Sequence, residues 1–123
     1  LDIHEDNAVP IGRIAEFAGG LPALEERCGM MIYTFGHAGD GNLHLNITAE
    51  GTPEPGRIEE GISAVLERVL AMEGTISGEH GIGLLKKPYI GMEISPASLR
   101  LQRGIKRLFD PRGILNPGKI FPD

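Results

Sequence analysis

An α+β fold is predicted, its elements running β-α-β-β-α-β before a helical C-terminal appendage, and three features of the sequence predict it. The stretch "NLHLNIT", residues 42–48, alternates strictly: Leu43, Leu45 and Ile47 take one face, and Asn42, His44, Asn46 and Thr48 the other. Ile58, Ile62, Val65, Leu66, Val69 and Leu70 form one apolar stripe at helical spacing. Gly, at 18 residues, and Pro, at 9, cut the chain into short periodic units. That order is the split βαβ, or ferredoxin-like, pattern, an antiparallel sheet with both helices on one face. The other face then needs covering, and the polar side of residues 42–48 is the part left over.

Taken in order, "LDIHEDNAV" is bounded by Pro10 and reads as an edge strand over residues 1–9. Ile14, Phe17, Ala18, Leu21 and Leu24 then recur at helical spacing, with a break expected near Gly19, Gly20 and Pro22. "MMIYTFG" is a compact run of β-formers. It pairs with residues 42–48 as a hairpin through the turn "HAGDG", where Gly39 and Gly41 are free to take positive φ. After the loop "EGTPEPG" comes the striped helix, with Gly74 where a C-cap belongs. "TIS" is a short fourth strand leading into "GEHGIG". Ser95 and Pro96 are the N-cap and first residue of a last helix, "DPRG" stops it, and "ILNPGKIFPD" is an irregular tail. The expected organisation is one domain over 1–123, a ferredoxin-like unit to residue 80 and a helical tail over 81–123.

Composition narrows the function classes. The chain has 123 residues, 41% of them hydrophobic, and no apolar run approaches a membrane span. A net charge of −5, scattered Lys and Arg, no Trp and 5% aromatics argue against a nucleic-acid surface. Cys28 is the only cysteine, so no internal disulfide forms and a reducing, cytoplasmic setting fits. "LDIHEDN" lacks the apolar segment of a secretory signal, and a start at Leu1 suggests a piece of something larger.

Strand parity singles out the candidate chemistry. His44 and Asn46 project from one face, about 7 Å apart along the strand. His37 ends the preceding strand, so the hairpin brings it near His44, and two converging imidazoles make half of a divalent metal site. "SGEHGIG" is the obvious source of the rest. Glu79 completes a two-His, one-carboxylate set, and His80 beside it stands as a proton acceptor near neutral pH. The plainer alternatives remain: a strand histidine is commonly just half-exposed, Asp40 a turn residue bonding its own backbone, and Asn116 and Lys119 tail residues facing water.

The segments "GHAGDGNLHLN", "GTISGEHGIG" and "LFDPRGILNPGKIF", with "EDNAVPIGRIAEF" upstream, resemble the C-terminal part of the FAD-linked oxidases of the vanillyl-alcohol oxidase superfamily. The nearest pattern is that of the D-lactate dehydrogenase, glycolate oxidase large subunit and D-2-hydroxyglutarate dehydrogenase branch. The resemblance implies that His37, His44 and Glu79 ligate a metal, usually zinc, and that His80 is the catalytic base and a substrate contact. It also implies that Asn46 touches substrate and that Asn116 and Lys119 lie near the flavin. Where the family often carries a basic residue against the substrate carboxylate, this sequence reads "DIHED" and offers His4.

On this resemblance the parent protein oxidises a D-2-hydroxy acid to the 2-oxo acid, with hydride transfer to FAD. FAD is held mainly by an N-terminal domain missing from this chain, as is a second ferredoxin-like half, so the chain alone is expected to be colourless and inactive. Its expected partners are the small 2-hydroxy acid, that FAD-binding domain, a second copy in a homodimer and an electron-acceptor subunit. The expected location is cytoplasmic or peripheral to the inner membrane. Two other readings stand beside this one: a stand-alone ferredoxin-like metal- or ligand-binding module without catalysis, and a metal-dependent hydrolase using His80 with a metal-bound water.

Overall fold

The computed structural model describes residues 2–51 and 54–122; Leu1, Thr52, Pro53 and Asp123, which fall in the expected first strand, the second loop and the tail, lie outside the described residues. Three strands, β1 (Asp2–Ala8), β2 (Met31–His37) and β3 (Asn42–Thr48), form an antiparallel sheet in the order β1-β3-β2. The sheet and five helices make the α+β class expected. Two compact units divide the chain, residues 1–80 and 81–123.

In the first unit, parity decides which face is buried. Leu43, Leu45 and Ile47 of β3 and Ile32 of β2 meet Phe17 from α1 (Ile14–Gly19), and Leu21, Leu24 and Cys28 from α2 (Leu21–Cys28). Ala64, Val65 and Val69 from α3 (Pro55–Ala71) and Met72 just beyond it complete the cluster. Burying side chains of this size contributes about 1.5–3 kcal/mol each, and all of it lies on one face of the sheet. The break foreseen between α1 and α2 falls at Gly20. There the Arg68 guanidinium donates to the Glu16 carbonyl at 2.6 Å and a Cβ would sit 1.9 Å from Arg68 Nη2. At the hairpin, the His37 carbonyl accepts from the Gly41 amide at 3.0 Å, and Asp40 Oδ1 accepts from the Asn42 amide at 3.1 Å. Gly41 takes a φ of 77° and Gly39 does not adopt positive φ.

Two expectations are corrected. The C-cap of α3 is not made by Gly74: Glu73 takes the left-handed conformation at φ 60°, and Gly74 is needed for space, since a Cβ there would lie 2.3 Å from the Ala8 carbonyl. The fourth strand shrinks to one bridge between Ala8 and Thr75, with amide-to-carbonyl distances of 3.1 and 2.8 Å. That bridge puts Thr75 beside β1, the edge a ferredoxin-like fourth strand would take. Beyond Thr75 the chain turns into a bend fastened to Asp6, whose side chain accepts from Ser77 Oγ at 3.4 Å and from the His80 amide at 2.9 Å.

The second unit holds α4 (Ile90–Glu93), which the sequence pattern did not suggest, and α5 (Pro96–Phe109). Ser95 caps α5 as expected, its Oγ accepting from the Ser98 amide at 3.2 Å. Buried Asp110 then organises the tail: its carboxylate accepts from the Ile114 and Leu115 amides, both at 3.0 Å, and from Lys106 Nζ. Among the described residues, no helix is long and apolar enough to cross a membrane.

Candidate functional site

The sheet face opposite the core carries alternate residues of all three strands. Register sets Asp6 and Phe35 on either side of His44, and His4 and Tyr33 on either side of Asn46. His44, with its side chain 16% exposed, sits at the centre. Its Nε2 lies 3.4 Å from Glu79 Oε1 and its Nδ1 4.0 Å from Asp6 Oδ1. The His80 ring stacks on the His44 ring with centroids 5.4 Å apart, and His80 Nε2 is 3.9 Å from Glu79 Oε1.

Asp6, His44, Glu79 and His80 each offer a ligand atom within 4.8 Å of the others. Sequence parity and the glycine-flanked bend therefore bring three of the expected residues together. His37 stands just outside that group, its ring edge-on to His44 at 5.8 Å between centroids. Asn46 lies farther along β3, its Oδ1 2.7 Å from His4 Nδ1, which commits the amide oxygen and leaves the amide nitrogen for another partner. A concavity of about 270 Å³ is lined by His4, Glu5, Phe35, His44, Asn46 and His80. The other two expected residues lie in the second unit, where Lys119 Nζ donates to Asn116 Oδ1 at 3.0 Å.

Asp6 is the residue sequence reasoning passed over. It is buried, 2% exposed, on the same sheet face as His44. Alternation along β1 was the available signal, because it puts Asp6 on the same side as His4 and therefore opposite His44. An acid in an expected edge strand otherwise reads as solvent-facing.

Chemically, two imidazole-bearing strands and a bend carrying a carboxylate and a further imidazole suit a borderline divalent ion such as zinc. The donor set fits: nitrogen and oxygen ligands converge, and Asp6 and Glu79 bring negative charge that a cation offsets. The concavity is smaller than the roughly 300–1,000 Å³ of sites that enclose drug-sized ligands. It is a shallow hollow of small-ligand size.

The model of the family described as "FAD linked oxidases, C-terminal domain" matches residues 2–120. The chain is 40% identical over 121 residues to glycolate oxidase subunit GlcD of Bacillus subtilis, covering 97% of this chain and 26% of that protein. It is 41% identical over 119 residues to a D-lactate dehydrogenase of Anaerostipes hadrus, covering 94% of this chain and 25% of the relative. It is 40% identical over 119 residues to the mitochondrial D-2-hydroxyglutarate dehydrogenase of Bos taurus, covering 95% of this chain and 21% of the relative. The chain thus spans about a quarter of the length of the curated relatives it matches.

Proposed function

The chain belongs to the FAD-linked oxidase C-terminal domain family, and on that premise we propose that it is the substrate- and metal-binding portion of a flavin-dependent oxidoreductase converting a D-2-hydroxy acid to its 2-oxo acid. The substrate class is that named for its relatives: glycolate, D-lactate and D-2-hydroxyglutarate. One observation carries the proposal, the convergence of His44, Glu79, His80 and Asp6 within 4.8 Å on the sheet face opposite the core.

His37, His44 and Glu79 would hold a divalent metal, zinc by preference. When bound, that metal supplies Lewis-acid polarisation of the substrate hydroxyl. Without a cation, the substrate carboxylate would meet the half-exposed Glu79 carboxylate and be repelled. His80, next to Glu79 and exposed on the pocket side, accepts the hydroxyl proton. Asn46, its oxygen engaged by His4, offers its amide nitrogen to a substrate oxygen. FAD supplies the hydride acceptor for the hydrogen on C2.

The view that FAD is carried by a part of the protein outside this chain is supported by the chain's spanning about a quarter of its relatives' length. Exposed Met31, Tyr33 and Phe35 on β2, beside the concavity, give that part an apolar strip to cover. In this proposal Asn116 and Lys119, in the second unit, contact the flavin, and the electrons pass on to a separate acceptor.

Anaerobic mixing of the flavin-loaded enzyme containing this chain with D-lactate, glycolate or D-2-hydroxyglutarate should bleach the flavin absorbance for at least one acid. His80→Ala should retain flavin yet slow bleaching by roughly 10²–10⁴-fold, the usual contribution of a positioned base. Bleaching by none of the three acids would refute the substrate class, and near wild-type bleaching by His80→Ala would remove His80 from proton transfer.

A further inference from the structure

The bend that presents Glu79 and His80 has no regular secondary structure of its own, yet it delivers both side chains to one imidazole. What holds it is on β1. Asp6 Oδ2 accepts from the Glu79 amide at 3.0 Å and the His80 amide at 2.9 Å, with Ser77 Oγ at 3.4 Å, and Oδ1 accepts from the Glu79 amide at 3.2 Å. The Gly78 amide is 3.4 Å from the Asp6 carbonyl, so backbone and side chain of one residue take donors along the whole bend. Such a run of backbone N–H groups around a carboxylate is an anion-binding concavity built within the chain. Gly78 is required at its centre, since a Cβ there would lie 2.2 Å from Asn42 Oδ1 and 2.8 Å from Asp6 Oδ1.

We infer that Asp6 is the positioning residue of this site: by accepting the Glu79 and His80 amide protons, its buried carboxylate holds those two side chains against His44. The inference rests on the reading of the site proposed above. Asp6 reaches His44 as well, Oδ1 standing 4.0 Å from Nδ1 on the ring side away from Glu79. At that distance the contact is electrostatic and is not a hydrogen bond. Asp6 is therefore placed to act through its neighbours; its Oδ2 is already filled by three donors.

An amide in place of the carboxylate keeps the shape but turns an N–H₂ group toward backbone N–H donors. In Asp6→Asn, the Glu79 and His80 amides should lose their hydrogen-exchange protection, while those of Leu45 and Ile47 keep theirs. Titration with Co²⁺ alone should show affinity lowered about 10–100-fold, the usual effect of losing such a supporting group, with a changed visible spectrum. A change in folding stability alone would not produce this pattern. Gly78→Ala, whose Cβ crowds Asn42 Oδ1 and Asp6 Oδ1 and so displaces the same bend while keeping the carboxylate, should reproduce the loss.

In the wild-type chain, scalar coupling across the hydrogen bonds from the Glu79 and His80 amide nitrogens to Asp6 Cγ reads the clamp directly, whether or not Asp6→Asn folds. Protected amides and Co²⁺ affinity within twofold of wild type in Asp6→Asn would overturn the inference, as would absence of that coupling. If wild type takes up no Co²⁺, the metal reading fails on its own. Asp6 is then judged by the coupling and by whether the contacts between the His44 and His80 rings disappear in Asp6→Asn.

Discussion

At the scale of single residues, His44 is where the three parts of the site meet. β1 lends Asp6, β2 lends His37 and Phe35, and the bend after Thr75 lends Glu79 and His80. Its neighbours have different duties in the proposed chemistry, and metal analysis separates them. His44→Ala and His37→Ala should each lose most bound zinc, whereas His80→Ala should keep it. Retention by His37→Ala together with loss from His80→Ala would move the third ligand from His37 to His80. His37 and His80 are exposed, so those two changes should alter stability by no more than about 0.5 kcal/mol in the metal-free chain, measured by denaturant unfolding. Parity along residues 42–48 made His44 and Asn46 legible in the sequence, and flanking glycines did the same for Glu79 and His80. Asp6 was not legible, because its burial is created by a segment more than seventy positions away.

At the scale of elements, the helices, the hairpin and the central strand follow from periodicity, and the departures occur where a tertiary contact competes with a local rule. The end of α3 is one case. A glycine three positions beyond Ala71 suggests a left-handed cap, yet the close approach of the Ala8 carbonyl claims Gly74 and passes the left-handed turn to Glu73. A side chain in that conformation costs roughly 1–2 kcal/mol, and glycine offsets part of the gain with its greater freedom when unfolded. Glu73→Gly should therefore raise unfolding free energy by about 0.5–1 kcal/mol, seen as a higher denaturant midpoint with unchanged slope. Gly74→Ala should lower stability instead. The fourth strand is the other case: "TIS" has the composition of a strand, but its regular ladder ends at Thr75, where the chain turns and the Asp6 carboxylate takes the Glu79 and His80 amides. Shortening the strand and forming the bend are one event, and neither can be read from residues 75–80 alone.

At the scale of the whole molecule, both units use a buried aspartate to hold a segment the sequence leaves irregular. Asp6 ties down residues 77–80, and Asp110 ties down residues 113–115, its carbonyl accepting from the Gly113 amide at 3.1 Å. In the second unit the partner is a cation. Lys106 Nζ bonds the Asp110 carboxylate and also the Leu115 carbonyl, at 2.6 Å for the latter. That pairing, against the opposing cost of burial, holds the Asp110 carboxyl below its ordinary value of 3.8, with the Leu115 and Ile114 amides helping. A carboxyl held lower in the folded chain than in the unfolded one binds fewer protons when folded. Its contribution is therefore complete above the unfolded value and fades as pH falls through the folded one. The Ile114 and Leu115 amides should accordingly be protected from exchange at pH 6 and lose that protection as the solution is taken below about pH 3.8. Asp110→Asn removes the titrating group and weakens the bond to Lys106. Protection at these two amides should then be lower at pH 6 and nearly flat as the pH falls. A wild-type profile that stays flat until the whole chain unfolds in acid would show that another group, and not Asp110, fastens the tail.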